Sequence, residues 1–303
     1  MHPSASVVLF TVSSGAGYGM LGVLGVLAAL GVLAPGAWVA FWVALGLVTI
    51  GLMASTFHLG RPERAWRALS QWRTSWLSRE GIAALIAYPP AVALGGWLTF
   101  GEPGGWAVPL GGLTAVTAGA TVFATGMLYR SLPPIRAWAN GFTVPGYLLM
   151  ALASGLPMVM ALLAGRTGEV VALLAAGTAV AALQLKRAYW RWLDDGQAAT
   201  TAGTATGLGH LGRVRMLDPP HTGTNFLMKE MGYRVARKHG RRLRGVAVGL
   251  IGVSGALALG SAVLPWLAVL AGPVAVLGVA VERWLFFAEA KHTTMLYYGA
   301  ETA

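Results

Sequence analysis

The chain has 303 residues, 56% of them hydrophobic and only 11% charged, with a formal net charge of +11. So little charge on so long a chain excludes an ordinary soluble domain. The absence of cysteine excludes both disulfides and an iron–sulfur cluster ligated by the chain itself. The basic excess would suggest nucleic acid in a soluble protein, but its placement in loops between apolar runs points to a membrane surface and not to nucleic acid.

Eight apolar stretches are long enough, or nearly so, to meet the requirement of about 20 residues for a bilayer-spanning helix. They run from Val7 to Leu33, Trp38 to Leu59, Gly81 to Phe100, Trp106 to Tyr129, Thr143 to Ala164, Val170 to Leu185, Val246 to Leu264 and Trp266 to Phe287. The pattern predicts an all-α polytopic membrane protein: an eight-helix bundle forming a single integral membrane domain over 1–303, with an extended loop, 196–244, between the sixth and seventh helices. The first stretch exceeds a signal-peptide core and has no basic residue before it, so it reads as a retained helix.

The segment from Phe57 to Gly81 carries most of the chemistry, with a histidine, five arginines and Glu80 between two spans. Leu59-Gly60-Arg61-Pro62 is a helix-stop signal, which puts His58 at the end of the second helix. Apolar residues at Ala65, Trp66, Leu69, Trp72 and Trp76 recur at helical spacing with arginines between them, as in a short helix lying in the membrane interface. The chain then enters the third helix at Glu80. His58 and Glu80 thus face one aqueous boundary, with Arg61, Arg64, Trp66, Trp76 and Arg79 around them. A quinone head group needs donors to its carbonyl oxygens, a group that exchanges protons near neutrality and an apolar route for its tail. The structural alternative is that His58 closes a helix end and Glu80 sits favourably at a helix N-terminus.

Further along, Pro62-Glu-Arg-Ala-Trp66, Pro134-Ile-Arg-Ala-Trp138 and Lys186-Arg-Ala-Tyr-Trp190 echo one another. They fit either duplicated helix pairs or the independent preference of Arg and Trp for the interface. In the long loop, Gly196 to Gly209 is rich in Gly, Ala and Thr and predicts a flexible connection, and Thr224 to Arg244 predicts a basic surface helix. Gly207-Leu-Gly-His-Leu-Gly212 matches G-x-G-x-x-G, but no strand precedes it and no βαβ unit fits, so no dinucleotide site is assigned. In the last span Glu282 and Glu289, seven residues apart with His292 nearby, read either as a proton path or as a structural pairing with Arg283 or an arginine of a neighbouring helix. No histidine falls near the middle of a span, so no haem is expected, and no metal ligand set is assigned.

The basic residues alternate by loop. With the N-terminus cytoplasmic, the inner loops hold five (Arg61 to Arg79), two (Arg130 and Arg136), twelve (Lys186 to Arg244) and one (Lys291), which is 20 of the 22 Lys and Arg residues. The outer loops hold Arg166 alone, and the positive-inside rule puts both termini in the cytoplasm. A small-molecule transporter is the competing class, with Tyr88-Pro-Pro90 and Gly155-Leu-Pro157 as candidate helix breaks, although the spans offer mostly Thr117, Thr121 and Thr125 as midplane polar groups.

The string His58-Leu-Gly-Arg-Pro-Glu-Arg-Ala-Trp66, followed by Thr74-Ser-Trp-Leu-Ser-Arg-Glu-Gly81, resembles the hallmark of the membrane anchor subunits of the dimethyl sulfoxide reductase family. The segment Leu217-Asp-Pro-Pro-His-Thr-Gly-Thr-Asn-Phe-Leu-Met-Lys-Glu-Met-Gly232 is similar to the anchors of membrane-bound sulfite dehydrogenases. The resemblance implies an eight-helix anchor in the bacterial cytoplasmic membrane that binds a quinone or quinol, ubiquinone or menaquinone. It implies docking to an iron–sulfur subunit, itself bound to a molybdopterin catalytic subunit; clusters and molybdopterin belong to these partners. The family's quinol-site histidine and glutamate match His58 and Glu80. A cytoplasmic arginine-rich face favours sulfite oxidation within sulfur respiration, because the sulfite-oxidising relatives keep their catalytic subunits in the cytoplasm. The anchor of a dimethyl sulfoxide reductase oxidising quinol is the alternative.

Overall fold

The computed structural model describes residues 3–57, 59–101, 105–195, 200–218, 220, 223–231 and 235–302, with the backbone alone for Phe57 and 235–238. Among the described residues, eight helices are long and apolar enough to cross a membrane. They are α1 (Ala5–Ala29), α2 (Ala37–Phe57), α3 (Trp76–Phe100), α4 (Ala107–Arg130), α5 (Thr143–Leu162), α6 (Gly168–Asp195), α9 (Val235–Gly260) and α10 (Leu267–Ala288). Two short helices, α7 (Ala202–Thr206) and α8 (Phe226–Met231), lie in the connection between α6 and α9.

Helix α1 is the hub, packing against α2, α4, α5 and α10; α3 leans on α4, while α5, α6, α9 and α10 form a second group. Lipid tails are as apolar as leucine, so helices in a bilayer associate through close packing of small residues. A Cβ on Gly25 would stand 2.7 Å from the Gly111 carbonyl oxygen, and one on Gly111 would stand 2.6 Å from that of Gly25, so α1 and α4 touch backbone to backbone. The interior is correspondingly rich in Ala, Gly and Ser, while Val116, Val170, Leu173 and Leu277 point outward.

The connections gather at two ends. At one end Gly165 lies beside Pro265, and residues of 31–38 share a cavity with the end of α3 and the start of α4. At the other, the arginine face, the Thr293 amide donates to the Pro134 carbonyl. The long connection folds back on the C-terminal segment there, through a bridge between Thr201 and Thr302, an Arg213–Glu301 ion pair and a hydrogen bond from Asn225 to the Tyr298 hydroxyl.

Several boundaries differ from the sequence expectation. Helix α3 begins at Trp76 and not at Gly81, because Ser75 is extended and the helix starts directly after it, which places Glu80 inside the helix. Helix α6 continues to Asp195, almost three turns past the expected Leu185, so Lys186 belongs to the bundle and not to a loop. Residues 235–244, expected as part of a separate basic surface helix within the extended loop, are helical but continuous with the seventh span. The interfacial segment forms a 3-10 helix, Pro62–Leu69, followed by turns. The candidate breaks close: α3 runs unbroken through Pro89 and Pro90, and α5 through Pro157. In the three echoing strings, Trp66 is 67% exposed whereas Trp138 and Trp190 are buried, so their tryptophans are not structurally equivalent.

Candidate functional site at the arginine face

Glu80 lies in the second turn of α3 and is buried although its helix starts at the membrane boundary. The Thr125 hydroxyl of α4 donates to its Oε1 at 2.7 Å. Tyr18 of α1 and Tyr129 of α4 are within electrostatic reach of the same carboxyl. Burying an ionisable group is costly unless it is hydrogen-bonded or paired, and one within a span is a candidate for a functional role.

The segment 62–75 roofs this corner. Arg79 donates from Nε to the Trp72 carbonyl at 2.9 Å and from Nη2 to the Arg73 carbonyl at 2.7 Å, while its guanidinium stacks 4.4 Å over Trp76. Ser78 donates to the Ala68 carbonyl, and Leu69 packs over Gly81. Trp76 in turn meets Phe123 of α4 edge to face. Of the residues singled out from sequence, Trp76, Arg79 and Glu80 come together at the start of α3. Arg79 proves to be a brace for the roof, its donors turned to backbone carbonyls. Arg61, Arg64 and Trp66 are exposed on the roof. His58 lies outside the described residues; its neighbour Phe57 ends α2, and Leu59 begins the turn toward the roof.

Glu282 and Glu289 fall into two ionic clusters. Inside the bundle, Glu282 Oε1 lies 2.6 Å from the Lys186 ammonium and Glu282 Oε2 lies 3.5 Å from Arg283 Nε. Arg283 also stacks 3.8 Å over Tyr147, and Lys186 sits 4.2 Å over Tyr189. The pairing with Arg283 is one of the two readings that the sequence allows, but the closer partner, Lys186, reads in the sequence as a loop charge. At the surface end, Arg244 joins Glu289 at 2.8 Å and Asp194 at 2.6 Å. Burial raises the Glu289 carboxyl above the ordinary carboxylate value, against the opposing pull of the Arg244 guanidinium.

Between Glu80 and Glu282 stands an aromatic wall of Tyr129, Trp138, Tyr147, Phe286 and Phe287, whose ring centroids lie 5.2–5.8 Å apart where they touch. Tyr129 is within electrostatic reach of Glu80 and of Arg283. Sequence reasoning missed this wall and Arg283's part in it, because nothing in the spacing of Tyr129, Tyr147 and Arg283 shows that three separate helices converge. The available signal was chemical: Lys186 and Arg283 are ionisable groups bordering or within apolar runs.

The donor chemistry of the Glu80 corner suits a quinone head group: the carboxyl is buried with one hydroxyl partner on one of its two oxygens, and the Tyr18 and Tyr129 hydroxyls are within its electrostatic reach.

Residues 1–188 match the DMSO reductase anchor subunit (DmsC) family. The chain is 34% identical to the C subunit of sulfite dehydrogenase from Allochromatium vinosum, over 98% of this chain and 99% of that protein. An anchor of this kind works in association with the other subunits of its oxidoreductase complex. With more than half its length matching that family and a relative aligned end to end, this eight-span chain belongs to the DMSO reductase anchor subunit family.

Proposed function

We propose that this chain is the quinone-reactive anchor of a molybdopterin oxidoreductase, linking oxidation of sulfite to sulfate on a cytoplasmic catalytic subunit with reduction of membrane quinone. The observation that carries the quinone reading is the buried Glu80 carboxyl, bonded to Thr125 under a roof of arginines and tryptophans. The full-length similarity to a sulfite dehydrogenase component supports the choice of substrate. The positive-inside rule supports a cytoplasmic arginine face, and hence cytoplasmic partners.

The chemistry divides accordingly. The catalytic partner oxidises sulfite with water, releasing two electrons and two protons, and an iron–sulfur partner conducts the electrons to the arginine face. A bound quinone supplies a two-electron, two-proton acceptor. His58 and Glu80 hold its oxygens and deliver protons, Trp76 and Phe123 flank the ring, and Arg79 keeps the roof closed. Arg61, Arg64 and Trp66 meet anionic lipid, at roughly 1 kcal/mol per basic residue near the surface, or the acidic face of the iron–sulfur partner. Glu282 and Glu289 belong to the proton supply. Sulfite-dependent quinone reduction by the purified complex tests the reading. Quinol-dependent reduction of dimethyl sulfoxide, with no sulfite activity, would assign the chain to the reductase branch that the family description names.

A further inference from the structure

Two small cavities meet at Arg283. The first, about 10 Å³, lies among α1, α4, α5 and α10, and its polar lining includes Ser14, Tyr18, Thr125, Tyr147 and Arg283. The second, also about 10 Å³, lies among α5, α6 and α10, against Thr143, Lys186, Glu282 and Arg283. Each admits about one water molecule. Among the described residues, the Tyr147 hydroxyl at the first cavity and Glu282 Oε2 at the second are buried without a hydrogen-bond partner. A buried polar atom facing a polar void of this size is normally satisfied by water. Thr125 borders the first cavity and donates to Glu80.

We propose that the two cavities hold water and, with Arg283 between them, form a proton passage from the Lys186–Glu282 pair to Glu80. The proposal rests on the reading of Glu80 as the acid of the quinone site. Arg283 keeps its charge at any accessible pH and does not hand on a proton. It is a positioning residue: its guanidinium, held over Tyr147, orders water on both sides of the aromatic wall. Thr125 has a hydroxyl that accepts a proton from cavity water as it gives its own to Glu80.

Reduction of one quinone consumes two electrons, supplied by the iron–sulfur partner, and two protons. Each proton leaving the Glu80 carboxyl for a quinone oxygen is replaced through Thr125 from water of the first cavity, and that water regains its proton from water of the second cavity that moves past the Arg283 guanidinium, so that the deficit ends at the Lys186–Glu282 pair. Glu289, within electrostatic reach of Lys186 and bound to Arg244, refills that pair from the surface, where Asp194 is half exposed.

The test uses the complete complex in lipid nanodiscs. X-ray radiolytic footprinting labels side chains that touch bound water, so Tyr147 and Met150, both buried and both lining the first cavity, should be modified. Thr125→Val should slow quinone-coupled turnover at least tenfold and enlarge its solvent deuterium isotope effect, while Thr125→Ser, which keeps the hydroxyl, stays within twofold of wild type. Arg283→Met should act as Thr125→Val does; should it fail to fold, the Thr125 pair still decides. Unlabelled Tyr147 and Met150, or wild-type turnover in Thr125→Val, would overturn the passage. Glu80→Gln separates the two readings: if it is slow and Thr125→Val is normal, only the passage fails, and if both are normal, the quinone site lies elsewhere.

Discussion

The Lys186 ammonium and the Glu282 carboxylate lie 2.6 Å apart with both side chains almost wholly buried, which places an ion pair inside a mainly apolar bundle. Breaking a buried pair from one side typically costs ~3–5 kcal/mol when the remaining charge is left without compensation. Glu282→Gln leaves both Lys186 and Arg283 buried without this carboxylate and should therefore lower the melting temperature of the purified anchor markedly. Lys186→Met leaves Glu282 with Arg283 and should lower it less, yet still cut quinone-coupled turnover. A Lys186→Met variant as unstable as Glu282→Gln would show that Arg283 does not compensate the carboxylate.

His58→Ala and Glu80→Gln, made separately, should assemble in the membrane and cut quinone-coupled turnover at least tenfold. Reaction of the partner subunits with a soluble electron acceptor should continue. Normal quinone activity in both variants would remove the site from this corner.

Arg79→Ala should free the segment 62–75, because the guanidinium holds two carbonyls and covers the Trp76 ring. Limited proteolysis between Arg61 and Arg73 should accelerate, and the apparent KM for quinone should rise more than kcat falls. Arg79→Lys should not rescue, since an ammonium cannot reproduce the planar fork. Unchanged proteolysis would show that the roof is held by other contacts.

Gly25→Val and Gly111→Val should each force α1 and α4 apart, since any Cβ at either position meets the opposing backbone. Overpacking of this kind costs about 1–3 kcal/mol or more. Reduced yield and a lower melting temperature in detergent are expected, whereas Gly22→Ala, where a Cβ meets nothing within 4 Å, should be silent.

Reporter fusions after Ala198 and at the C-terminus should read cytoplasmic, and one between Gly101 and Gly105 should read external. Lys186 lies inside a helix and does not count as a loop charge, but the asymmetry rests on the short loops bearing Arg61 to Arg79, Arg130 and Arg136 and does not need it. An external reading after Ala198 would reverse the membrane orientation and the location of the partners.

What the sequence by itself determined was whatever depends on composition over a window. Eight apolar runs dictated eight helices, because a backbone in lipid must satisfy its hydrogen bonds internally. The arginine- and tryptophan-rich string from Phe57 to Gly81, with Glu80 at its end, already marked the corner where the carboxyl is found. The tertiary structure alone decided how far charged helix ends reach into the bundle and which helices meet. Leu185 reads as the end of a span because Lys186 and Arg187 follow it, yet α6 continues because Glu282, nearly a hundred residues later, compensates the lysine. The same holds for Thr125, Tyr147 and Arg283. Each is an ordinary residue on its own helix, and only the packing of α1, α4, α5 and α10 brings the three together around one cavity, a relation among distant segments that no local pattern encodes.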